Sequence, residues 1–548
     1  MATTTDESNG RKGGLRELDA VVIGAGFSGL YALYKLRDEM NMSVRVYEAA
    51  DGVGGTWYWN RYPGARCDSE SHYYSYSFSE ELEQEWEWTS KYPEQPEILR
   101  YLNHVADRFD LRRDIQLNAR ISEAVFDETR NRWQVRTEGG ERISAHFLIT
   151  AVGCLSAANL PEFEGLESFR GEWYHTGLWP HEPVDFTGKR VGLIGTGSTG
   201  IQATPVIAEQ ADHLTVFQRT PNYSLPARNA LLTPEEQAEV KANYRELRRC
   251  VRESRAGFPY TPTDKLGADF TPEEQQALCE ELWELGGFRF LWGSFSDLMT
   301  NEQTNEVVAE FVRQKIREVV KDPGVAELLT PTDHAYGTKR PPIDTGYYEA
   351  YNRDNVTLVD VRSAPITAIT PHGLRTADGS EYEFDVIVFA TGFDAITGAL
   401  QKIDIRGTGG QSLAEKWQEG PRTYLGLQVA GFPNMFTITG PGSPSVLTNM
   451  PVAIEQHVDW ISDCIEHMRA QGMTRIEAKP DAEDGWVDHV NEVASSTLYQ
   501  QTDSWYVGAN IPGKKRVFMP YVGGLIEYRR HCDDAARDGY DGFELRPA

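Results

Sequence analysis

Near the start of the chain four apolar residues, Ala20-Val21-Val22-Ile23, run without interruption and stop at Gly24. A short apolar run that ends at a glycine predicts a strand buried on both faces. Leu30, Leu33 and Leu36 then recur at near-helical spacing, and a second run, Val44-Arg45-Val46-Tyr47, ends at Glu48. Strand, helix and strand in this order predict a parallel βαβ unit with its tight turn at Gly24-Ala25-Gly26-Phe27-Ser28-Gly29.

The same pattern returns later. Arg190-Val191-Gly192-Leu193-Ile194 precedes Gly195-Thr196-Gly197-Ser198-Thr199-Gly200, followed by Ile201 and Gln202, and Leu214-Thr215-Val216-Phe217 leads to Gln218-Arg219. Gly24 to Glu48 and Gly195 to Arg219 both span 24 positions. Two dinucleotide-binding units in one chain are therefore expected.

Between 231 and 330 helix formers dominate. Thr233-Pro234-Glu235-Glu236 and Thr271-Pro272-Glu273-Glu274 both have the form of a capping box with proline at the first helical position. Strand-like segments resume at Val356 to Val359 and at Val386-Ile387-Val388-Phe389, which runs into Ala390-Thr391-Gly392-Phe393-Asp394. The predicted fold is α/β: two Rossmann-like domains with a helical insertion in the second. The expected order is a disordered tail over 1–18 and the first domain over 19–155. The second domain spans 156–230, the insertion 231–330, and the second domain again 331–389. The first domain is completed by 390–548.

Composition narrows the function. At 548 residues the length allows three or four domain-sized units, and the 82 Asp plus Glu outnumber the 54 Lys plus Arg, for a formal charge of −28. Such a chain repels nucleic acid and anionic membranes. No apolar run is long enough for a membrane helix, and the first 18 residues carry no apolar signal core, so a cytoplasmic protein is expected. The six cysteines and twelve histidines show no metal-ligand spacing, so no metal is expected.

The glycines of each loop let backbone approach a pyrophosphate, and the helix behind each loop adds partial positive charge. The residue ending the second strand separates the two sites. Glu48 accepts from ribose hydroxyls and repels a 2′-phosphate, whereas Arg219, with Thr220 beside it, suits that phosphate. The first unit is thus expected to hold FAD and the second NADP. A flavin disulfide reductase needs a redox cysteine pair, which the spacing does not offer, and this leaves oxygen activation.

Two further stretches bear on that. Gly54-Gly55-Thr56-Trp57-Tyr58-Trp59-Asn60-Arg61-Tyr62-Pro63-Gly64-Ala65-Arg66-Cys67-Asp68 combines glycines with aromatic residues suited to a flat ring system. Phe169-Arg170-Gly171-Glu172-Trp173-Tyr174-His175-Thr176-Gly177-Leu178-Trp179-Pro180 lies between the two units. This second stretch, flanked by two GxGxxG loops, resembles the fingerprint of the type I Baeyer–Villiger monooxygenases. The first resembles that family's other signature. The similarity runs from about residue 19 to about 545. Glu81 to Ile115, Gly440 to Leu447 and Ser504 to Gly513 are most similar to the phenylacetone and steroid monooxygenase branch, from which Pro341-Pro342 departs.

The resemblance implies a reaction. NADPH reduces FAD, O2 gives a flavin peroxide, and this attacks a ketone to yield an ester or lactone. It implies Arg340 as the active-site cation, Asp68 as its carboxylate partner and Lys339 as a further 2′-phosphate contact. It also implies a cofactor-binding set. That set comprises Gly24 to Gly29, Glu48, Gly55 to Trp59, Arg66, Cys67, Asp68, Tyr74, Ile121, Met450 and Trp505, together with Thr196 to Gln202, Arg219, Thr220, Lys339 and Arg340. For His175 it implies coupling of domain movement and not chemistry. The alternatives are a sulfur or nitrogen monooxygenase and an NADPH oxidase. The partners expected are a ketone and O2, and the chain is expected to be a monomer or weak homo-oligomer.

Overall fold

The computed structural model describes residues 15–260 and 263–547. Most of the expected tail lies outside the described residues, and its end is not a tail. β1 (Arg16–Ile23) already begins at Arg16, which pairs with Ile143, and Leu18 pairs with Ala145. An exposed strand end needs only backbone pairing, so polar residues there leave no apolar signature.

After Gly24 the chain enters the helix Phe27–Leu33, which widens into a π-helical turn over Tyr34–Glu39. Leu30, Leu33 and Leu36 are all buried on its inner side. β2 (Val44–Tyr47) returns parallel to β1, with Tyr47 opposite Ile23, and β3 (Ile115–Gln116) lies outside β2. β4 (Ile121–Asp127) and β5 (Arg132–Thr137) form an antiparallel pair. They lead to β6 (Arg142–Thr150), which is parallel to β1 on its other side.

The second sheet repeats the beginning of the first. β7 (Glu172–His175) is its edge, and β8 (Arg190–Ile194) pairs in parallel with β9 (His213–Gln218), Ile194 opposite Phe217. β10 (Leu225–Pro226) precedes the helices Pro234–Arg252, Pro272–Leu285, Glu302–Val319 and Pro323–Leu329. Both expected capping boxes form: Thr233 and Glu236, like Thr271 and Glu274, exchange side-chain and backbone hydrogen bonds. This insertion leaves the second unit but is fastened to the first. Buried Arg248 pairs with Glu83 at 2.6 Å and donates to the Ser75 and Tyr76 carbonyls.

The chain re-enters through β11 (Ile343–Asp344), paired with β10, and β12 (Val356–Asp360), outside β9. β13 (Ile366–Thr370), β14 (Gly373–Thr376) and β15 (Glu381–Glu383) make a small antiparallel sheet. β16 (Val386–Phe389) then slots between β8 and β7, giving the order β12-β9-β8-β16-β7. All four β16 residues are fully buried, and burying each such side chain contributes roughly 1.5–3 kcal/mol. β17 (Asp404–Arg406) beside β4 and β18 (Met435–Thr437) beside β6 bring the chain back to the first sheet. The helix Met450–Ala470 covers that sheet, its Ile454, Val458 and Ile461 sharing a core with Leu30 and Leu33. No described helix is long and apolar enough to cross a membrane.

Candidate functional site

The two glycine loops are built alike. A Cβ on Gly24 would lie 2.6 Å from the Ala151 carbonyl oxygen, and one on Gly195 2.4 Å from that of Ala390. Each first glycine therefore rests on the backbone that follows the next parallel strand, β6 or β16. Gly29 and Gly200 are excluded from bearing a side chain in the same way, by the Gly24 and Gly195 carbonyls. The middle glycines differ. Gly197 faces open space, with nothing within 4 Å of a Cβ, whereas Gly26 lies against Gly55. The Gly54 N–H donates to the Ala25 carbonyl at 2.9 Å, so the aromatic signature begins directly on the first loop.

The strand ends carry the expected contrast. Glu48 is buried at the end of β2, where Oε2 accepts from the Ala25 N–H at 2.7 Å and Oε1 from the Ala50 N–H at 2.9 Å. Each oxygen keeps a second lone pair for a ribose hydroxyl. Arg219 follows β9 and is exposed. Thr196 Oγ1 donates to the Thr220 carbonyl at 3.0 Å and joins the second loop to this strand end. Lys339 Nζ donates to the Asp503 carbonyl at 2.9 Å. Burial pushes the Lys339 pKa down; Asp333 opposes this, and the nearby Arg219 and Arg362 add to it. Cations thus gather where an anion would relieve their repulsion.

Within the aromatic signature, Thr56–Trp59 is one helical turn capped by Gly55. Trp57 Nε1–H donates to the Tyr74 hydroxyl at 3.1 Å, and both rings are buried. Tyr58 packs edge-on against Trp59. Arg66 points elsewhere, to the Tyr92 carbonyl at 2.7 Å and to Glu94 at 2.8 Å. Its own carbonyl accepts from Gln202 at 3.1 Å, which sets this turn on the helix Ser198–Gln210 beside buried Ile201. Burial pushes the Cys67 thiol well up, so it stays protonated. Ile121 opens β4 with its side chain in the core beside Ile23 and Tyr47; only its main chain is left to meet a ligand.

Arg340 and Asp68 are brought together across 272 positions. Arg340 Nε donates to Asp68 Oδ2 at 2.8 Å and Nη1 to the Val446 carbonyl at 2.7 Å, and the guanidinium lies 4.6 Å from the centre of the Phe288 ring. Burial alone would lower the arginine pKa, but the Asp68 carboxylate outweighs it and pushes it up. Tyr506 sits beside this pair, and burial raises its phenol to about 12 against the pull of Arg340. The cluster therefore holds one permanent cation paired with the Asp68 carboxylate, beside a Tyr506 phenol that stays protonated. Pro342, in the divergent pair, gives its carbonyl to the Leu225 N–H at 2.9 Å.

Trp505 opens a short 3₁₀ turn, and it and Met450 pack against the apolar cluster that contains Val446 and Leu447. The loop carrying Trp505 is docked on the Arg340 segment, with Thr502 Oγ1 donating to Thr338 Oγ1 at 2.8 Å. His175 lies away from Arg340. Its Nδ1 accepts from the Gly177 N–H at 3.0 Å, and its Nε2 faces Thr391 Oγ1 at 3.2 Å, whose proton goes to the Asn159 carbonyl. The ring is therefore the neutral Nε2–H tautomer, and burial lowers its pKa. It pins the two segments by which the chain crosses between the units, which lie side by side through the Asn159 N–H to Gly392 carbonyl bond at 3.0 Å.

The structure adds Phe288, the Val446 carbonyl, Tyr506 and Arg362 to the residues named from the sequence. Tyr506 lies inside a stretch that already carried the family resemblance. Val446 also lies inside such a stretch, Gly440 to Leu447, whereas Phe288 and Arg362 have no local signature.

The first βαβ region, residues 22–87, matches the NAD(P)-binding Rossmann-like domain family. The chain is 49% identical to an acetone monooxygenase (methyl acetate-forming) of Gordonia sp., over 96% of this chain and 99% of that protein. It is 46% identical to a Baeyer–Villiger monooxygenase of Pseudooceanicola batsensis, over 96% and 95% of the two chains. Among solved structures, an oxidized steroid monooxygenase bound to NADP superposes with a TM-score of 0.93 at 54% identity, covering 97% of this chain and all of that one.

Proposed function

The chain belongs to the Baeyer–Villiger monooxygenases, and on that premise we infer that it binds FAD and NADPH and converts a ketone and O2 into an ester or lactone. One oxygen atom enters between the carbonyl carbon and a neighbouring carbon. The other leaves as water, and NADPH supplies the two electrons. Bound FAD supplies the electron transfer and oxygen activation, which no side chain provides.

We assign FAD to the first glycine loop with Glu48, the Gly55–Trp59 turn and Tyr74, and NADP(H) to the second loop with Arg219, Thr220 and Lys339. The fit rests on the cradle that a Cβ would fill at Gly24 and Gly195, and on the opposite charges at the two strand ends. The expected domain boundaries follow this assignment, with the first unit starting at Arg16.

The observation that carries the reading is Arg340 fixed by Asp68 and the Val446 carbonyl. Attack on a ketone carbonyl turns its oxygen into an alkoxide. Arg340 has five N–H donors and spends two on these contacts, which leaves the rest for oxygens that gain negative charge. It cannot act as a base. Its part is electrostatic, and Asp68 orients it.

Purified enzyme should consume NADPH and O2 faster with a ketone present and form ester in step. Hydrogen peroxide in place of ester would mark an oxidase, and oxidation of sulfides or amines with ketones untouched would mark a heteroatom monooxygenase. We place the protein in the cytoplasm, as a monomer or weak homo-oligomer. Its six unbridged thiols fit a reducing compartment.

A further inference from the structure

We propose that Arg362 is a third cation of the NADP 2′-phosphate site and a determinant of NADPH preference, an inference that rests on the assignment of NADP(H) to the second glycine loop. β9 and β12 are neighbours, and the chain leaves both at one level. The Val361 N–H donates to the Gln218 carbonyl at 2.9 Å, so Arg219 and Arg362 follow side by side. Arg362 Nε donates to the Arg219 carbonyl at 3.1 Å and Nη2 to Asp333 Oδ2 at 2.5 Å. These two bonds hold the guanidinium across the turn after β9, where a dinucleotide fold meets the adenosine ribose.

The surrounding groups leave room for an anion. Arg219, Lys339 and Arg362 converge, and among the described residues only Asp333 makes an ion pair with any of them. The other Asp333 oxygen is taken by His334 Nδ1 at 2.7 Å. Asp360 accepts the Arg362 backbone N–H at 2.8 Å, and the Asp503 carboxylate is taken by Arg516. Burial is the main cause of the lowered Lys339 pKa and the repulsion of Arg219 and Arg362 adds to it; a 2′-phosphate placed among the three cations would relieve that repulsion, and a 2′-hydroxyl would not. A purely structural role explains little, because the Arg362 and Asp333 side chains are 51% and 33% exposed, and such pairs add little to stability.

The test uses the FAD-bound enzyme and calorimetric titration with NADP+ and with NAD+. Arg362→Ala should weaken NADP+ binding about tenfold or more, the loss typical of one charge-assisted phosphate contact, and leave NAD+ binding unchanged. Arg362→Lys should recover part of the loss, because the charge returns without the Nε bond to the Arg219 carbonyl. The flavin spectrum and melting temperature check folding, and Arg362→Gln replaces the alanine variant if that one does not fold. Unchanged NADP+ binding, or equal weakening of both nucleotides, overturns the proposal. Arg219→Ala separates the two levels. If it weakens NADP+ and Arg362→Ala does not, only the role of Arg362 falls; if neither variant weakens NADP+, the assignment of the second loop falls.

Discussion

Replacing Arg340 with alanine separates the two halves of the reaction. The side chain is held from three sides: Asp68 at 2.8 Å, the Val446 carbonyl at 2.7 Å and the Phe288 ring at 4.6 Å. Its removal leaves a carboxylate and a carbonyl without their partner, which should cost roughly 1–3 kcal/mol of stability. The effect on rate should be larger. Losing one preorganised donor to a developing oxyanion typically costs about 2.7–4 kcal/mol, or a hundredfold to a thousandfold. That loss should fall on oxygen transfer, because hydride transfer builds no oxyanion. Anaerobic stopped-flow should still record reduction of the bound FAD by NADPH, seen as loss of its absorbance. Mixing with oxygenated buffer and ketone should then give little ester and a matching yield of hydrogen peroxide. Arg340→Lys should fall between the two, since an ammonium keeps the charge but cannot present the two-pronged contact to Asp68 and Val446. Ester formation at the parent rate by Arg340→Ala would refute the role given to this residue.

Arg219→Ala and Lys339→Ala should each raise the KM for NADPH and leave that for NADH nearly unchanged, by about 1.5–3 kcal/mol per lost contact; equal use of both coenzymes by the parent enzyme would sink this. Glu48→Ala should weaken FAD retention twice over, through the lost ribose partner and through release of the Ala25 and Ala50 N–H groups, which flavin release during gel filtration would record. His175→Ala and Trp505→Ala should alter turnover or the ratio of ester to peroxide more than cofactor affinity, and parent values in both would count against it. Burial pushes the Asp344 carboxyl from 3.8 up to about 6 despite the Ser224 hydroxyl beside it. An acid raised in the folded state is penalised once it ionises, so its effect is to lower stability as pH rises from about 4 through 6, with no further change above. Asp344→Asn should remove about 2–3 kcal/mol of that decline in denaturant titrations across this range, and an unchanged slope would disprove it.

Much of this was legible in the sequence, for reasons that differ between residues. The glycine loops were readable because backbone contacts at Gly24, Gly29, Gly195 and Gly200 exclude every other residue type. The insertion helices were readable because Thr233 and Thr271 cap them through local bonds. Arg340 and Asp68 were reached only through family resemblance, since nothing local ties residues 272 positions apart. The segment Gly440 to Leu447 was marked by the resemblance, but the role of its Val446 carbonyl has no side-chain signal, because every residue type offers one. Phe288 belongs to a helical insertion whose path back to the active site is a matter of packing. The start of β1 was missed because its polar first residues pair only through backbone.

The placement of Arg340 also explains why its neighbour matters. One residue before it, Lys339 reaches the Asp503 carbonyl and lies near Arg219 and Arg362, where we propose that the 2′-phosphate binds. Arg340 itself touches Asp68 of the first unit, Phe288 of the insertion and Val446 of the returning chain. Two consecutive residues therefore join the proposed coenzyme end of the site to the proposed oxygen-transfer end. Thr338, just before them, holds the Thr502 hydroxyl and with it the loop that carries Trp505. The insertion cannot follow the second unit freely, because Arg248 fastens it to Glu83 and Ser75 of the first. Any displacement of the second unit would also have to shear the core that its Val191 and Leu214 share with Val308 and Val312 of the insertion, and the paired crossings pinned by His175. Arg340 lies three residues before β11 begins, so under the proposed assignment its position would depend on where the coenzyme holds Lys339.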